Sequence, residues 1–508
     1  MLGRTIASPG TILSSIGPDW LITWLTPVWI LGVGATFGLA ILLVLWGLLF
    51  LVSRRGAMNI PELIGEGAML PIFVVTAVFA VFGVVGAVIV RSPGDMLASI
   101  PRFLATGPQK LVLDVPITDA ETFFEAEVKF TGMELSQFRV ESDQPIFVGK
   151  TSDDQTTDNM IEVEPGNSYE WNRGAESISP FGDGLVTRLS ISNLGSTNAE
   201  VTFNLETKPV FPQTRTVVLT AVCVVLFFLL YFLQQWLFPK VSAIALTTAK
   251  SELAQPMFLI ILGFGAFLLF IFLYIPYNTF GEDIKMLKDS GFTTIMILAI
   301  IQAVWAASNS VAEEIDGKTA LTVLSKPVSR RQFIFGKFLG IIWSVAVIFI
   351  VLGAFFLVLV AYKPVYDARE SSKLPPIWEE CYIEVVRTVP GLVLAFLETV
   401  VLTAISVAIS TRLPLLPNFS ICFVVYALGH LTPLIVQSSV GSLPPVAFMG
   451  SFIATVLPML EAFNIQAAVA AGREVPHSYL LYALAYCVLY SAVAMLLALI
   501  LFEDRDLA

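Results

Sequence analysis

The chain has 508 residues, of which 56% are hydrophobic and only 14% charged, and its formal net charge is −11. With a mean hydropathy of +0.80, this excludes a soluble globular protein, whose charged share is nearer about 25%. Basic residues are thinly spread, so no patch of the kind that binds nucleic acid is formed.

In chain order, residues 12–24 place Ile12, Ile16, Trp20 and Trp24 at helical spacing, the pattern of a short helix lying in the membrane interface. No cleavable signal peptide is evident: the first long apolar run starts late, and only Arg4 could serve as its charged flank. Nine nearly uncharged runs are long enough to cross a bilayer: 28–52, 69–90, 216–238, 256–275, 292–311, 338–361, 389–409, 419–436 and 479–502. In the first, Gly34 and Gly38 could admit a neighbouring helix at close range.

Residues 92–212 break the pattern. They hold 19 Asp plus Glu against 8 Lys plus Arg, a net of −11 that equals that of the whole chain. The runs LVLDVPI (111–117), TFFEAEVKF (122–130), FRVES (138–142), RLSISNL (188–194) and EVTFNLE (200–206) are rich in β-branched and aromatic residues and separated by turn formers. Turn spacing alone predicts a β-sandwich, held by its core because no cysteine falls within it. Its acidity reads as a solvated face.

Between the fifth and sixth runs stands SVAEEIDGKTALTVLSKPVSRRQFIFGKFLG (310–340), a charged hairpin. A helix continued through 313–324 is ended at Lys326-Pro327, since proline cannot donate to the ladder and restricts its predecessor. Ser329 and Gln332 form a capping box that starts the next helix. Gly317-Lys318-Thr319 is not the end of a phosphate loop, because Ala312 stands where that motif requires glycine. No other ATPase motif is present, so no enzymatic activity is expected of the chain.

Further on, Pro444, Pro445 and Pro458 interrupt the apolar stretch 440–471, and Glu461 and Asn464 suit no lipid-exposed helix. Two short helices dipping into one leaflet fit better than a crossing. Glu398 sits in mid-span, where a charge costs several kcal/mol unless protonated or paired. It is either a proton or substrate contact, or a structural group hydrogen-bonded to Ser, Thr or Gln302 on a neighbouring helix; the second reading is preferred. Cys223, Cys381, Cys422 and Cys487 have no CxxC spacing, and with only His430 and His477 no metal site is expected.

Orientation follows from the short basic loops: Arg54 and Arg55, Lys240 and Lys250, and five basic residues in 312–337. Placing these inside puts the N-terminus outside and the C-terminus in the cytoplasm. Residues 362–388, an outer loop in this scheme, argue back with four basic residues, offset by five acidic ones.

The hairpin, the preceding AIALTTAKSELAQP (243–256), the six spans from about residue 241 and the closing LILFEDRDL (499–507) together resemble the permeases of type-2 exporter-class ABC transporters. Apolar runs and the acidic β-rich segment divide the chain into 1–91 (interfacial helix and two spans), 92–212 (extracytoplasmic β-domain) and 213–240 (third span), and the resemblance implies a permease domain over 241–508. It covers neither the first three spans nor the β-domain. It implies that the 312–337 hairpin meets a separate ATPase subunit through Glu313, Glu314, Asp316, Gly317, Lys326, Pro327, Arg330 and Arg331. That ATPase would bind ATP and Mg, and a second permease subunit, identical or not, would pair with this one in the inner (plasma) membrane. The expected function is coupling of ATP hydrolysis to substrate export. The alternatives are a sensory or assembly scaffold that holds a partner on its β-domain, and an ion-coupled transporter built around Glu398.

Overall fold

Long apolar runs in lipid must satisfy their own backbone, and helices do so. Among the described residues, nine helices are long and apolar enough to cross a membrane. The computed structural model describes residues 18–103, 105–118, 123–150, 158–173, 179–275, 283–317, 328–439, 444–464, 468–469 and 473–503. The chain divides into two units, Ser92–Val218 and the remainder on either side of it. It is a polytopic helical membrane protein with an inserted all-β region.

Helix α1 (Asp19–Val52) takes in Trp20 and Trp24. The expected separate interfacial helix is therefore, from Asp19 on, the first turns of the first span; Ile12 and Ile16 lie outside the described residues. The helix runs on through Pro27, which leaves one carbonyl of the turn before it without a backbone donor. After the amphipathic α2 (Arg54–Ile64), α3 (Met69–Val85) returns along α1. These two cross at Gly32 and Gly83, where a methyl on Gly83 would sit 2.4 Å from the Gly32 carbonyl carbon. Trp29 Nε1 donates to the Gly83 carbonyl at 2.9 Å and locks the crossing. Gly32 thus sets the approach of α3, while Gly38 admits a later helix at close range, as expected: a methyl there would lie 2.9 Å from Val224 and 3.2 Å from the Ala221 carbonyl.

The second unit opens with α4 (Pro93–Arg102) and continues with β1 (Pro108–Val115), β2 (Phe124–Thr131), β3 (Leu135–Ser142), β4 (Ile146–Lys150), β5 (Asp158–Val163), β6 (Ser168–Asn172), β7 (Leu185–Asn193) and β8 (Ala199–Thr207). All pairings are antiparallel, in two four-stranded sheets of order β1-β8-β3-β6 and β2-β7-β4-β5. Alternate residues of both sheets (Phe138, Val140 and Phe203; Val148, Leu189 and Ile191) share one core. This interleaved order is a jelly roll, the eight-stranded double Greek key. Arg102 of α4 grips the buried Glu134 with two bonds, 2.8 and 2.5 Å.

Helix α5 (Arg215–Leu237) leads through a proline start into α6 (Pro239–Ala254). There follow α7 (Pro256–Tyr274), α8 (Asp283–Ala307), α9 (Arg330–Glu370), α10 (Trp378–Ser410), α11 (Leu415–Ser439), α12 (Pro444–Val456) and α13 (His477–Glu503). A π-helical turn, Ser308–Glu313, extends α8. Helices α8, α9 and α10 form the buried centre, with Phe292 and Phe356 edge to face at 5.6 Å. By contrast α7, α11 and α13 present apolar side chains such as Phe267, Phe423 and Leu489 outward. The 13 residues of α12 span about 20 Å, short of the roughly 30 Å hydrocarbon layer, so this helix does not cross. Residues 440–443, 465–467 and 470–472 of the expected dipping element lie outside the described residues.

The expected outer loop 362–388 is mostly helix: α9 runs to Glu370 and α10 begins at Trp378. Lys363 is buried, donating to the Leu273 carbonyl at 3.2 Å and pairing with Asp367 at 2.9 Å. Burial and pairing remove it from the exposed charges that orient a loop.

Candidate functional site

The charged segment between α8 and α9 is built by local rules. Gly317 ends the first arm, its N–H donating to the Glu313 carbonyl at 2.8 Å. The capping box forms as its sequence dictates: Gln332 N–H donates to Ser329 Oγ (3.2 Å), and Ser329 N–H to Gln332 Oε1 (3.1 Å). Lys326 and Pro327 lie outside the described residues, as does the side chain of Asp316.

Of the remaining coupling candidates, some are held inside the chain. Lys337 Nζ pairs with Glu314 at 2.6 Å and lies 5.5 Å from the Phe333 ring centre. Arg330 Nη1 donates to the carbonyls of Glu503 (2.9 Å) and Phe502 (3.2 Å) and lies over the Phe502 ring. A guanidinium there satisfies carbonyls that the end of α13 leaves open. Glu313, Gly317 and Arg331 are exposed.

Sequence reasoning missed the group that ties this region together. Helix α6 packs onto α9 where Gly336 and Gly340 admit it: a methyl on Gly340 would lie 2.6 Å from Thr248 Cβ. That approach places Glu252 of α6 beside Lys337, Glu313 and Glu314. Glu252 is buried; one oxygen accepts from Gln255 Nε2 at 3.2 Å, and the other has no hydrogen-bond partner among the described residues. Gln255 in turn accepts from Trp305 Nε1 at 2.8 Å. Burial pushes the Glu252 carboxyl from 4.5 up to about 7, Lys337 opposing and the two glutamates reinforcing. The folded state therefore holds this proton to a higher pH than the unfolded chain does. Stability from this group is greatest below pH 4.5, declines as pH rises to about 7 and is level above it. The full loss is about 3 kcal/mol. Glu252→Gln is expected to raise stability above pH 7 and flatten this slope, read as melting temperature against pH in nanodiscs.

Deeper in the bundle, Asn418 Nδ2 lies within 3.0 Å of the hydroxyls of Ser308, Ser406 and Ser410. This ties the π-helical turn to α10 and α11. π-bulges recur at functional positions because the extra residue shifts the register of a helix. The only sequence sign was Asn418, one residue ahead of the apolar run 419–436.

Glu398, buried in α10, is not partnered by Gln302, whose buried amide has no hydrogen-bond partner among the described residues. Its carboxylate instead meets His430 Nε2 at 2.8 Å, and His430 Nδ1 meets Glu461 at 3.1 Å. A second and third ionisable group thus share its surroundings, in place of the Ser, Thr or Gln302 partner that the sequence reading preferred. Near the other end of α8, Lys288 is fully buried and pairs with Glu384 at 2.5 Å. No group of His, Cys, Asp or Glu among the described residues could hold a metal ion.

No curated protein matches the chain. Residues 248–424 match the family described as ABC-2 family transporter protein. The matched stretch begins within α6, ends within α11, and includes Glu252, the π-helical turn, Lys337 and Glu398; the first three spans, the jelly roll, His430 and Glu461 lie outside it. Together with the nine apolar helices, this match over a segment supports a type-2 ABC permease as the membrane component that the chain contains.

Proposed function

We propose that this chain is the permease subunit of an ATP-driven exporter, working with a separate ATPase subunit that binds ATP and Mg and with a second permease subunit, identical or not. The observation that carries this reading is the buried junction of Glu252, Lys337 and Glu314. It ties α6, the end of α8 and the start of α9 into one body, so a push on the 312–337 hairpin moves the central helices together. Glu313 and Arg331, being exposed, are the contacts offered to the ATPase, with Asp316, Gly317, Lys326 and Pro327 alongside. Arg330 supports the same surface from behind by fastening α13.

In this reading the hairpin and C-terminus face the cytoplasm, and the N-terminus and jelly roll face outward from the plasma membrane. Basic residues at 54–55, 240, 250 and in the hairpin favour that orientation, and the burial of Lys288 and Lys363 weakens the opposing signal.

The test is charge reversal at the two exposed positions, Glu313→Arg with Arg331→Glu, leaving Arg330 intact. The purified protein alone is expected to hydrolyse no ATP. In vesicles containing the ATPase, stimulation by the double variant is expected to fall at least about tenfold with unchanged melting temperature. Wild-type stimulation by the double variant would remove the docking role.

A further inference from the structure

The two ring nitrogens of His430 face two different carboxylates, Glu398 at 2.8 Å and Glu461 at 3.1 Å. The two acids differ in setting: the Glu398 side chain is 2% exposed, that of Glu461 is 42% exposed. Glu461 lies on the 3-10 turn Leu460–Phe463 that follows α12. For both contacts to be hydrogen bonds, the three groups must share two protons: an imidazolium between two carboxylates, or a neutral imidazole with one carboxyl protonated. With one proton, a nitrogen lone pair faces a carboxylate and that contact fails.

We propose that Glu398, His430 and Glu461 form a proton-operated clamp that holds the segment 444–464 on the bundle when two protons are bound and frees it when one leaves. Glu461 is the arm that opens, because it can turn to water while Glu398 cannot leave its burial in α10. The remaining attachments of the segment do not titrate with the clamp. Leu460 and Phe463 pack with Leu394, Leu397 and Ala483. Tyr479 Oη donates to the Ala462 carbonyl at 2.6 Å, and Met459 N–H to Tyr486 Oη at 2.8 Å.

Among the described residues, the other ionisable groups around the imidazole are phenols and a thiol. Tyr426 of α11 stands edge-on with its ring centre 4.7 Å away. Helix α13 brings Tyr479, Tyr486 and Cys487, whose thiol donates to the Leu397 carbonyl. Phenols and thiols ordinarily titrate above about pH 8, so the change below it belongs to the imidazole and the protons it shares. The two steps belong to the trio and not to one residue.

The experiment is hydrogen–deuterium exchange of the full chain in lipid nanodiscs, from about pH 5 to about pH 8, the range over which an imidazole changes charge. Rates are corrected for intrinsic exchange. Amides of Ala462 and Asn464, hydrogen-bonded within the turn, are expected to exchange at least about tenfold faster at the upper end, as loss of one charge-assisted bond requires. In Glu461→Gln the amide can donate to the bare nitrogen, so protection is expected to persist at every pH. A flat wild-type profile, an equal change across all helices, or an unaltered pH dependence in Glu461→Gln would each overturn the clamp. None of these readouts depends on the ATPase, so the clamp and the coupling reading can fail separately.

Discussion

Lys337→Met is expected to lower the stability of the protein by about 3 kcal/mol and to abolish stimulation of a partner ATPase. Among the described residues, Lys337 is the cation set beside Glu252, Glu313 and Glu314. Its own side chain is 8% exposed and that of Glu314 is 32% exposed, so the pair is neither fully dry nor well screened. Removing the ammonium breaks the 2.6 Å pairing with Glu314 and deepens the mismatch at the buried Glu252, while methionine preserves most of the packing on Phe333. The check is thermal unfolding and ATPase stimulation in one reconstituted preparation. A double-mutant cycle with Glu314→Gln separates lost pairing from lost packing, because the double variant should cost less than the sum of the singles. Unchanged melting together with unchanged stimulation would show that the junction is not a unit.

Glu384→Ala is expected to be at least as damaging to folding, at about 3–5 kcal/mol, because it strands Lys288, which has no exposed side-chain surface. Replacing both members, Lys288→Met with Glu384→Leu, removes both desolvated charges and is expected to restore most of the loss. Thermal unfolding of the two variants in nanodiscs decides it. A single variant as stable as the wild type would mean that water or lipid headgroups reach Lys288.

The sequence by itself determined the features that are written locally. Nine spans follow from the length of uncharged runs, since lipid leaves the backbone no partner but its own helix. The β-domain follows from short alternating runs between turn formers. The start of α9 follows from Ser329 and Gln332, three residues apart, where each side chain meets the other's backbone. A first span that begins at Asp19 was not legible, because Pro27 lacks a backbone donor and ordinarily ends a helix, yet this one runs through it.

Tertiary structure alone decided the partners of the charged groups. Arg330 and Lys337 look alike in the sequence, two basic residues of one loop, yet one reaches the end of α13 and the other pairs with Glu314 beside the buried Glu252. Glu398 met neither a hydroxyl nor Gln302 but an imidazole 32 residues away. The jelly roll likewise depends on pairing its first strand with its last. A charge is written identically in the sequence whether it is solvated or buried, and hydrophobic period carries no record of which distant helix or strand will face it. Those choices are made by close packing, as when Gly336 and Gly340 let α6 settle against α9 and bring Glu252 to Lys337.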